Sequence, residues 1–469
     1  MSAADSSSAL PRHTRDAAPR QVLSATNVIV IVVGLVIGAG IFKAPAIVAA
    51  NAVSEWSMIG AWLLGGGVSL AGALCYAELA SAYPHTGGEY HFLTRAYGTR
   101  LAFLFAWSRL AILQTGSIAL LAFVLGDYLG LLLPLGEHGA AIYAGVAVLA
   151  LTALNIAGLQ ASTTVQTVMT ALTVLGLLGV IVVGLSYTPT STPADAVEPL
   201  ATATATPAFG LAMVFVLLTY GGWNESAYIS AELRDVRRNM VRVLVASIAC
   251  ITLIYMLVNL AYLNVLGLDG MARSQAVTSD AMRLVAGDTG ANLVTVLIVL
   301  AVLTSINVSI LTGARTNYAM ARDFPPLGFL GNWNGATNTP VNALLVQCGI
   351  ALLLVLAGTL SRSGFETMAH YVSPVFWLFF LLTALSLFVL RRREPAHPRP
   401  FRVPLYPLTP LLFAASCGYM LYSSLAYTGF GALLGVAVLC AGVPLLFVIN
   451  RRRQPGDSPC PDPAIHDQR

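Results

Sequence analysis

Long apolar segments recur along this chain from residue 24 to residue 450, and short polar or charged loops separate them. Each is long enough to cross the hydrocarbon core of a bilayer, roughly 30 Å, as a helix. The runs are continuous in Leu, Val, Ala and Ile instead of alternating, so a membrane β-barrel is not indicated. The pattern predicts an all-α polytopic membrane protein with about twelve spans, at residues 24–50, 57–81, 100–133, 139–157, 160–186, 207–230, 241–266, 290–318, 340–358, 365–390, 404–425 and 429–450.

Composition agrees with this prediction. The chain has 469 residues, of which 57% are hydrophobic and 10% charged, and its mean hydropathy is +0.76. Its six cysteines are scattered without a C-x-x-C pair, so neither a disulfide framework nor a zinc site is indicated. The net charge of +4 reflects arginines at span ends, where headgroups and insertion topology explain them without nucleic acid.

The distribution of arginine predicts the orientation. If the polar N-terminal tail is cytoplasmic, the inner loops hold most of the arginines, including the run "RRREPAHPRPFR", while the outer loops hold little more than Arg273, Arg283 and Arg362. This is the asymmetry of the positive-inside rule. We therefore expect both termini in the cytoplasm.

Glycines interrupt two of the spans near their middle. Gly38, Ala39 and Gly40 lie in "GLVIGAGIFKAP" of the first span, and Gly221 and Gly222 lie in "LLTYGGWNESAYISAE" of the sixth. One such pair alone is typical of close helix packing. Two interrupted spans that are five spans apart instead indicate a transporter with inverted repeats and discontinuous helices around a central site.

Interrupting a helix at mid-depth frees backbone groups that are costly in lipid. The N–H groups of Ile41 and Phe42, which follow Gly40, would face a carboxylate at the positive end of a half-helix. Carbonyls near Leu218 and Tyr220 would accept from an ammonium. Together they suit a zwitterionic amino acid.

Several motifs carry a resemblance to a known family. "GAGIF" in the first span, "CYAELASAYPHTGGEYHFLTRAYG" after the second, "YGGWNESAYISAELRDVRRN" in the sixth and "SILTGARTNYAMARD" in the eighth keep their order and span positions. With them the chain resembles the amino acid–polyamine–organocation (APC) superfamily, in particular its L-type amino-acid transporter-like branch. The resemblance implies a LeuT-type fold and substrate binding at Ile37, Gly38, Ala39, Gly40, Ile41, Leu218, Tyr220, Gly221 and Trp223.

The implied fold divides the chain into five parts. It consists of five helices, five inverted helices and two further C-terminal helices, with helices 1 and 6 broken. The predicted parts are the disordered cytoplasmic tail 1–22, the first repeat 23–186, the second repeat 187–390 with its outer loop, the two C-terminal helices 391–450, and the cytoplasmic tail 451–469.

One departure from the family concerns the coupling ion. Many members carry a lysine in the fifth helix that replaces a coupling sodium ion, and the matching position here is Thr173. In the eighth span, "AVLTS" resembles the A-x-x-T-S spacing of sodium symporters of this fold, whose oxygen donors suit a hard cation. A Na⁺ site would then use Ala301, Thr304 and Ser305 with the carbonyls of Gly34 and Ile37. Ser and Thr that bond back to their own helix are the competing interpretation, and a proton is the rival ion.

Two further departures concern the gate and a partner. L-type relatives usually carry an aromatic residue where this chain has Leu218, so apolar packing or Phe215 would close the outer gate. Animal L-type transporters bond a heavy chain through a cysteine after the third helix, but "PLGEHGA" has none, so a disulfide-linked heavy chain is not expected. The preference for Arg over Lys suggests a bacterium of high G+C content, and hence the inner membrane.

Charges near the two breaks have two interpretations each. Lys43 and Glu225 each lie three residues beyond a glycine, and they either snorkel into aqueous vestibules or act as coupling or gating charges. Arg109 either snorkels to the cytoplasmic face or locks an inner gate against Glu232 or Asp235. Glu78, at the inner end of the second span, is interpreted as a structural anchor.

The sequence therefore predicts a secondary active transporter of amino acids that works by alternating access, and not an enzyme. Its apolar lining favours neutral L-amino acids, although Glu225 facing the site would favour basic ones. Sodium-coupled symport is the first hypothesis, and a proton-coupled or exchange-mode amino acid/polyamine antiporter is the alternative. A membrane nutrient receptor is an alternative of another class. No cofactor is expected beyond Na⁺ or H⁺.

Overall fold

The structure is a computed structural model, and it describes residues 21–38, 40–188, 209–274, 276–359, 364–427 and 430–451. Helices dominate these residues. Their bounds are α1 (Ala25–Val36), α2 (Gly40–Ala50), α3 (Glu55–Ala82), α4 (Glu89–Tyr97), α5 (Thr99–Ser108), α6 (Gln114–Leu132), α7 (Gly139–Ala157), α8 (Leu159–Ser186), α9 (Phe209–Thr219), α10 (Val236–Arg273), α11 (Val277–Asp323), α12 (Val341–Gly358), α13 (Gly364–Arg393), α14 (Leu408–Tyr427) and α15 (Phe430–Arg451).

The predicted class is confirmed. Among the described residues, nine helices are long and apolar enough to cross a membrane, and α1 with α2 forms a tenth span as a bent pair. The remaining two predicted spans are shorter, since α9 has 11 residues and the apolar part of α15 is Leu433–Phe447. The total of twelve spans, the domain boundaries and the inverted repeat stay predictions.

The first span is broken where its glycines predicted. Ser24 caps the start of α1 by accepting from the N–H of Asn27, and α1 ends at Val36. The chain resumes as α2 at Gly40, and the two helices meet at 48°. Ala39 lies outside the described residues.

The sixth span is broken as well, and it resumes in a different form. After α9 the chain turns at residues 220–222 and continues as a 3₁₀ segment, Trp223–Glu232. Gly222 has φ +113°, a left-handed conformation that only glycine adopts without strain. A 3₁₀ segment was not expected from the sequence.

Other helices are also irregular. A π-helical segment, Arg109–Leu113, connects α5 to α6 within the third span. Gly267, near the end of α10, and Gly287, near the start of α11, have non-helical backbone angles and bend those helices. The apolar pattern predicts a continuous span across Arg109–Leu113, whereas Gly267 and Gly287 lie just outside the predicted spans 241–266 and 290–318.

The two breaks lie at the centre of the bundle. α10 packs along α3 and also contacts α1 and α2, while α11 packs on α6 and α8 and reaches α1. Every residue of α11 from Thr304 to Ala321 is buried. The broken spans are therefore enclosed by long helices that can hold their loose ends in place.

The predicted cytoplasmic end of the bundle, called the inner end below, closes through a backbone pairing. The N–H of Leu23 donates to the carbonyl of Glu232 at 2.9 Å, and the N–H of Arg234 donates to the carbonyl of Leu23 at 2.9 Å. This bridge connects the residue before α1 to the end of the 3₁₀ segment. Both broken spans thus meet again at the inner end.

Candidate functional site

The two breaks are in direct contact. A Cβ placed on Gly222 would lie 3.1 Å from Leu35 Cγ, and one placed on Gly40 would lie 2.9 Å from Thr219 Cγ2. Gly38 is equally close to α11, because its Cβ would lie 2.6 Å from Ser305 Oγ. Close approach of neighbouring elements therefore requires glycine at all three positions, and at Gly222 the backbone conformation requires it as well.

Helix ends of both polarities converge here. The first N–H groups of α2, at Gly40, Ile41 and Phe42, have no acceptor within their own helix, as in any helix start. The C-terminal ends of α1 and α9 lie beside them and present carbonyls. Partial positive and partial negative charge therefore lie close together at the two breaks.

Tyr255 of α10 connects the two carbonyl ends. Its hydroxyl donates to the carbonyl of Val36 at 2.7 Å and lies 3.2 Å from the carbonyl of Thr219. The side chain is fully buried against the rings of Trp62 and Tyr220. Sequence reasoning missed this residue; the signal was a tyrosine inside an apolar span, where a polar group needs a partner.

The predicted substrate residues line these breaks in different ways. Ile37 and Ile41 are fully buried. The Leu218 carbonyl accepts from the N–H of Gly221 at 3.1 Å, and the Leu218 side chain is half exposed. In the sixth span, it is thus the Thr219 carbonyl that shares a hydrogen-bond donor, the Tyr255 hydroxyl, with the first span.

Two predicted aromatic residues point away from the backbone break. The Tyr220 hydroxyl donates to the Trp62 carbonyl at 3.1 Å. The Trp223 ring packs edge-on against Tyr76 and also contacts Phe380 and Phe413. These contacts fix the sixth span on both sides of its break.

The predicted cation residues also meet. The Thr304 hydroxyl lies 2.6 Å from the Gly34 carbonyl and 2.7 Å from that of Ala301. The Ser305 hydroxyl donates to the Leu35 carbonyl at 2.9 Å, not to that of Ile37. Here both hydroxyls act as donors toward α1, which is the opposite of the role they would have toward a cation.

Thr173 is buried in α8 and donates to its own helix, at the Met169 carbonyl, over 2.9 Å. The polar residues of α8 nearest to the first span lie one to two turns earlier. A Cβ on Gly34 would clash with Thr170 Oγ1, at 2.1 Å, and with Gln166 Nε2, at 2.7 Å. The Gln166 side chain in turn accepts from Asn307 of α11 at 3.0 Å. Sequence reasoning missed this buried amide contact.

Arg109 has a different partner from those expected. Its Nη2 lies 2.5 Å from Glu225 Oε2, and its Nε donates to Thr316 Oγ1 at 2.9 Å. It is only 3% exposed, so the interpretation that it snorkels to the cytoplasmic face is wrong. The expected partner Glu232 is instead held by Arg315 in a bidentate pair of 2.5 and 3.0 Å.

Glu89, at the start of α4, is a further buried acid beside this pair. Its carboxylate accepts from the Tyr228 hydroxyl at 2.7 Å, from Asn224 Nδ2 at 3.1 Å and from the Tyr76 hydroxyl. Burial raises the pKa of Glu89 above its ordinary value, although the charge of Arg109 acts against that shift. In the sequence, Glu89 stands out only as a charge in an amphipathic segment.

Lys43 and Glu78 are the remaining charged residues that the sequence singled out, and both have neighbours in the structure. Lys43 Nζ lies 5.8 Å from the centre of the Tyr128 ring, and Lys43 also acts electrostatically on Asp127. Glu78 accepts from Arg391 at 2.5 and 2.8 Å and from the N–H of Val403 at 2.7 Å. These bonds hold the end of α3 to the last turn of α13 and to the segment that follows it, as expected of a structural anchor.

A multi-pass helical bundle with two broken spans in contact is typical of membrane transporters with discontinuous helices. The family assignment follows from sequence comparison. The profile of the amino acid permease family matches residues 23–448, so the chain belongs to that family, in the APC superfamily and its L-type branch. Its members are membrane transporters and not enzymes.

Characterised relatives are similar along most of their length. The serine/threonine exchanger SteT of Bacillus subtilis is 27% identical over 444 residues, which are 94% of this chain and 99% of SteT. The mouse Asc-type amino acid transporter 1 is 28% identical over 436 residues, 89% of this chain and 79% of its own. The mouse large neutral amino acids transporter small subunit 2 is 30% identical over 433 residues, with the same two shares. The chain is thus an amino acid transporter.

Proposed function

We propose that this protein is a secondary active transporter of neutral L-amino acids that works by alternating access. The observation that carries the proposal is the contact between the two breaks, which places a helix start and two helix ends around one point. The start of α2 suits a carboxylate, and the carbonyls of Val36 and Thr219 suit an ammonium. The substrate site is proposed at the residues predicted from the sequence, together with these two carbonyls.

The preference for a neutral side chain rests on Glu225. This residue is the acid nearest to the glycines of the sixth span, and it forms a charge pair with Arg109 at 2.5 Å. A basic side chain or a polyamine would have to break that buried pair, which costs several kcal/mol. The names of the relatives, a serine/threonine exchanger and a transporter of large neutral amino acids, support the same substrate class.

Sodium-coupled symport is the first candidate for coupling. The candidate site contains the carbonyls of Gly34 and Ile37 with Ala301, Thr304 and Ser305. The convergence of Thr304 with the Gly34 and Ala301 carbonyls supports it. Each hydroxyl would have to rotate its proton away from α1 to accept a cation.

Exchange without a bound cation is the second candidate. Both hydroxyls donate to α1 carbonyls, which satisfies those oxygens without an ion. One relative is named an exchanger. Proton coupling is the third mode, and the same experiment separates all three.

The test is uptake into proteoliposomes that contain the purified full chain. A panel of labelled neutral, basic and acidic amino acids and a polyamine is offered with an inward sodium gradient, an inward proton gradient, or internal unlabelled amino acid. We expect neutral amino acids to be taken up and to compete with one another. Uptake of arginine or a polyamine in preference to them would refute the substrate class, and the gradient that drives accumulation identifies the coupling mode.

Two matched threonines of α11 test the sodium site. Thr304→Val removes the hydroxyl that faces α1, whereas Thr295→Val removes a hydroxyl that bonds to its own helix, at the Ala291 carbonyl over 3.0 Å. Sodium coupling predicts that Thr304→Val weakens the sodium dependence while Thr295→Val leaves it unchanged. Sodium-independent wild-type uptake would eliminate this candidate.

We further propose that the chain lies in a bacterial inner membrane with both termini in the cytoplasm and without a disulfide-linked heavy chain. The distribution of arginine and the bacterial relative support this. Reporter fusions at either terminus would test the orientation. Uptake by the purified chain alone would test its independence of a second subunit.

A further inference from the structure

Four arginines at the inner end of α10, called the arginine stripe below, carry charge that no salt bridge neutralises. Each of them is exposed: Arg234, Arg237, Arg238 and Arg242. Within the part of the chain that the structure describes, none of them forms an ion pair. Asp235 is the one acid among them, so four arginines and one aspartate give residues 234–242 a net charge of +3.

Other arginines of the same end have partners inside the protein. Arg95 pairs with Glu394 at 2.9 Å, and both Arg391 and Arg399 pair with Glu78. These pairs connect α3, α4 and the end of α13, so they stabilise the fold. The positive-inside rule counts paired and unpaired arginines alike, and it therefore does not explain why the arginine stripe is left unpaired.

The arginine stripe does not serve the stability of α10 either. The first turn of the helix contains Arg237 and Arg238 and no acidic residue. Because the start of a helix carries partial positive charge, cations in the first turn are unfavourable. An anion bound here would reduce that repulsion and the repulsion among the arginines themselves.

The arginines lie on the side of α10 that exposes small and apolar residues further along the helix. Arg238 and Arg242 are about one turn apart, and Ala246 and Ala249 follow on the same side, both exposed. Leu253, about one turn beyond Ala249, is 60% exposed. The other side of this part of the helix is buried, at Val236, Met240, Val243 and Ser247. One side of α10 therefore combines a charged end with an apolar surface.

The length of this side matches one leaflet of a bilayer. Arg242 precedes Leu253 by about 16 Å along the helix, and half of a hydrocarbon core is about 15 Å thick. A lipid chain against Ala246 and Leu253 would thus place its phosphate near Arg242. Arginine suits this group, because its planar fork of N–H donors matches the oxygens of a phosphate.

We propose that the inner end of α10 is a binding site for an anionic phospholipid. The phosphate binds between Arg238 and Arg242, the other two arginines add positive charge around the headgroup, and one acyl chain packs along the exposed side of α10. A zwitterionic lipid binds more weakly, because the same arginines repel the cation of its headgroup. This inference goes beyond the proposed function and does not depend on the substrate.

A lipid at this place would also stabilise the closed inner end. The N–H of Arg234 donates to the Leu23 carbonyl at 2.9 Å, in the bridge that connects the two broken spans. The same helix packs against α1 and α2. Because a ligand that binds only the folded chain stabilises it, we expect the lipid to raise the unfolding temperature.

The test uses the purified full chain in detergent, titrated with dioleoylphosphatidylglycerol or with dioleoylphosphatidylcholine. Native mass spectrometry measures bound lipid, and thermal unfolding measures stabilisation. We expect the wild type to bind phosphatidylglycerol about tenfold more tightly or better, since each arginine near an anionic headgroup contributes about fivefold. Phosphatidylglycerol should raise the unfolding temperature and phosphatidylcholine should not.

Two triple variants separate a site from the total charge of the inner end. The first replaces three residues of the arginine stripe by glutamine, at Arg237, Arg238 and Arg242. The matched control replaces three exposed arginines of other predicted inner loops by glutamine, at Arg100, Arg392 and Arg402. We expect the first variant to lose about tenfold or more in affinity for phosphatidylglycerol and the control to retain the wild-type affinity.

Four results would overturn the proposal. Equal losses in both triple variants would mean that only the total charge attracts the lipid. Equal affinity of the wild type for the two lipids, which needs no variant, would mean that no anionic site exists. Equal stabilisation by glycerol 3-phosphate would identify a soluble phosphate as the ligand. A dimer without bound phosphatidylglycerol would identify a second copy of the chain as the occupant of this surface.

Discussion

Arg109 Nη2 lies 2.5 Å from Glu225 Oε2, and the Arg109 guanidinium stacks 3.8 Å from the centre of the Tyr228 ring. Arg109 belongs to the π-helical segment of the third span, and Glu225 belongs to the 3₁₀ segment that follows the sixth-span break. A largely buried charge pair therefore fixes the second half of the broken span to a neighbouring span. Any motion of that half must either break the ion pair or move Arg109 together with Glu225.

Removing the two partners should have unequal effects on stability. Arg109→Gln leaves both Glu225 and the nearby Glu89 without their cation, and we expect a loss of about 3–5 kcal/mol. Glu225→Gln should cost less, because Glu89 still acts on Arg109. Denaturant unfolding of the purified chain measures both losses. Arg283→Gln, in an exposed pair, is the control and should cost under about 1 kcal/mol; equal losses for Arg109→Gln and Glu225→Gln would contradict a role for Glu89.

Gly222 and Gly67 should respond in opposite ways to alanine. Gly222→Ala forces a side chain into φ +113° and against Leu35, so we expect a loss of about 1–2 kcal/mol together with loss of uptake. Gly67 lies in α3, where an added Cβ would meet nothing within 4 Å, and Gly67→Ala should be neutral or stabilising because alanine favours helix. Thermal unfolding and uptake assays of the two variants test this. Normal transport by Gly222→Ala would show that the left-handed turn is dispensable.

Glu89 and Glu394 should give stability profiles of opposite slope. Burial raises the pKa of Glu89, so its contribution is present at low pH and is lost as the pH rises through that raised pKa. Burial alone would raise the pKa of Glu394, but the hydrogen bond and the charge of Arg95 outweigh burial and lower this pKa. Its contribution is therefore present above the ordinary value of 4.5 and is lost as the pH falls through the lowered pKa.

Replacing Glu89 or Glu394 by glutamine should therefore make stability less dependent on pH, each in a different pH range. Glu89→Gln should reduce the loss of stability toward neutral pH, and Glu394→Gln should reduce the loss toward acid pH. The measurement is thermal unfolding from about pH 3 to about pH 7.5 in one detergent. Identical profiles for the two variants would contradict the assigned shifts.

Lys43 and Asp127 should be coupled in uptake. Both lie toward the predicted outer side, and the charge of Lys43 acts on the Asp127 carboxylate. We expect Lys43→Met to lower uptake, Asp127→Asn to lower it less, and the double variant to be no worse than Lys43→Met alone. Asp288→Asn, at an exposed acid of α11, is the control and should add independently. Wild-type kinetics of Lys43→Met at every pH would remove Lys43 from the gating residues.

The class of fold and the positions of the two breaks followed from local properties of the sequence. Apolar runs of membrane-spanning length identified the helices, because their number of residues and their solvent are fixed by the bilayer. Glycines at positions 38, 40, 221 and 222 located both breaks, because a helix loses stability wherever glycine replaces a residue with a side chain. The motifs also identified the family, and comparison confirmed it.

The partners of the buried polar groups followed only from the tertiary structure. Arg109 pairs with Glu225 and not with Glu232, which Arg315 holds, although both acids lie in the same 3₁₀ segment. Tyr255 was found only when α1, α9 and α10 were placed together. Helical periodicity specifies which face of a segment is apolar, but these hydrogen bonds form between atoms that are far apart in the chain. Their distances depend on how the helices pack, and that information is not local to any segment.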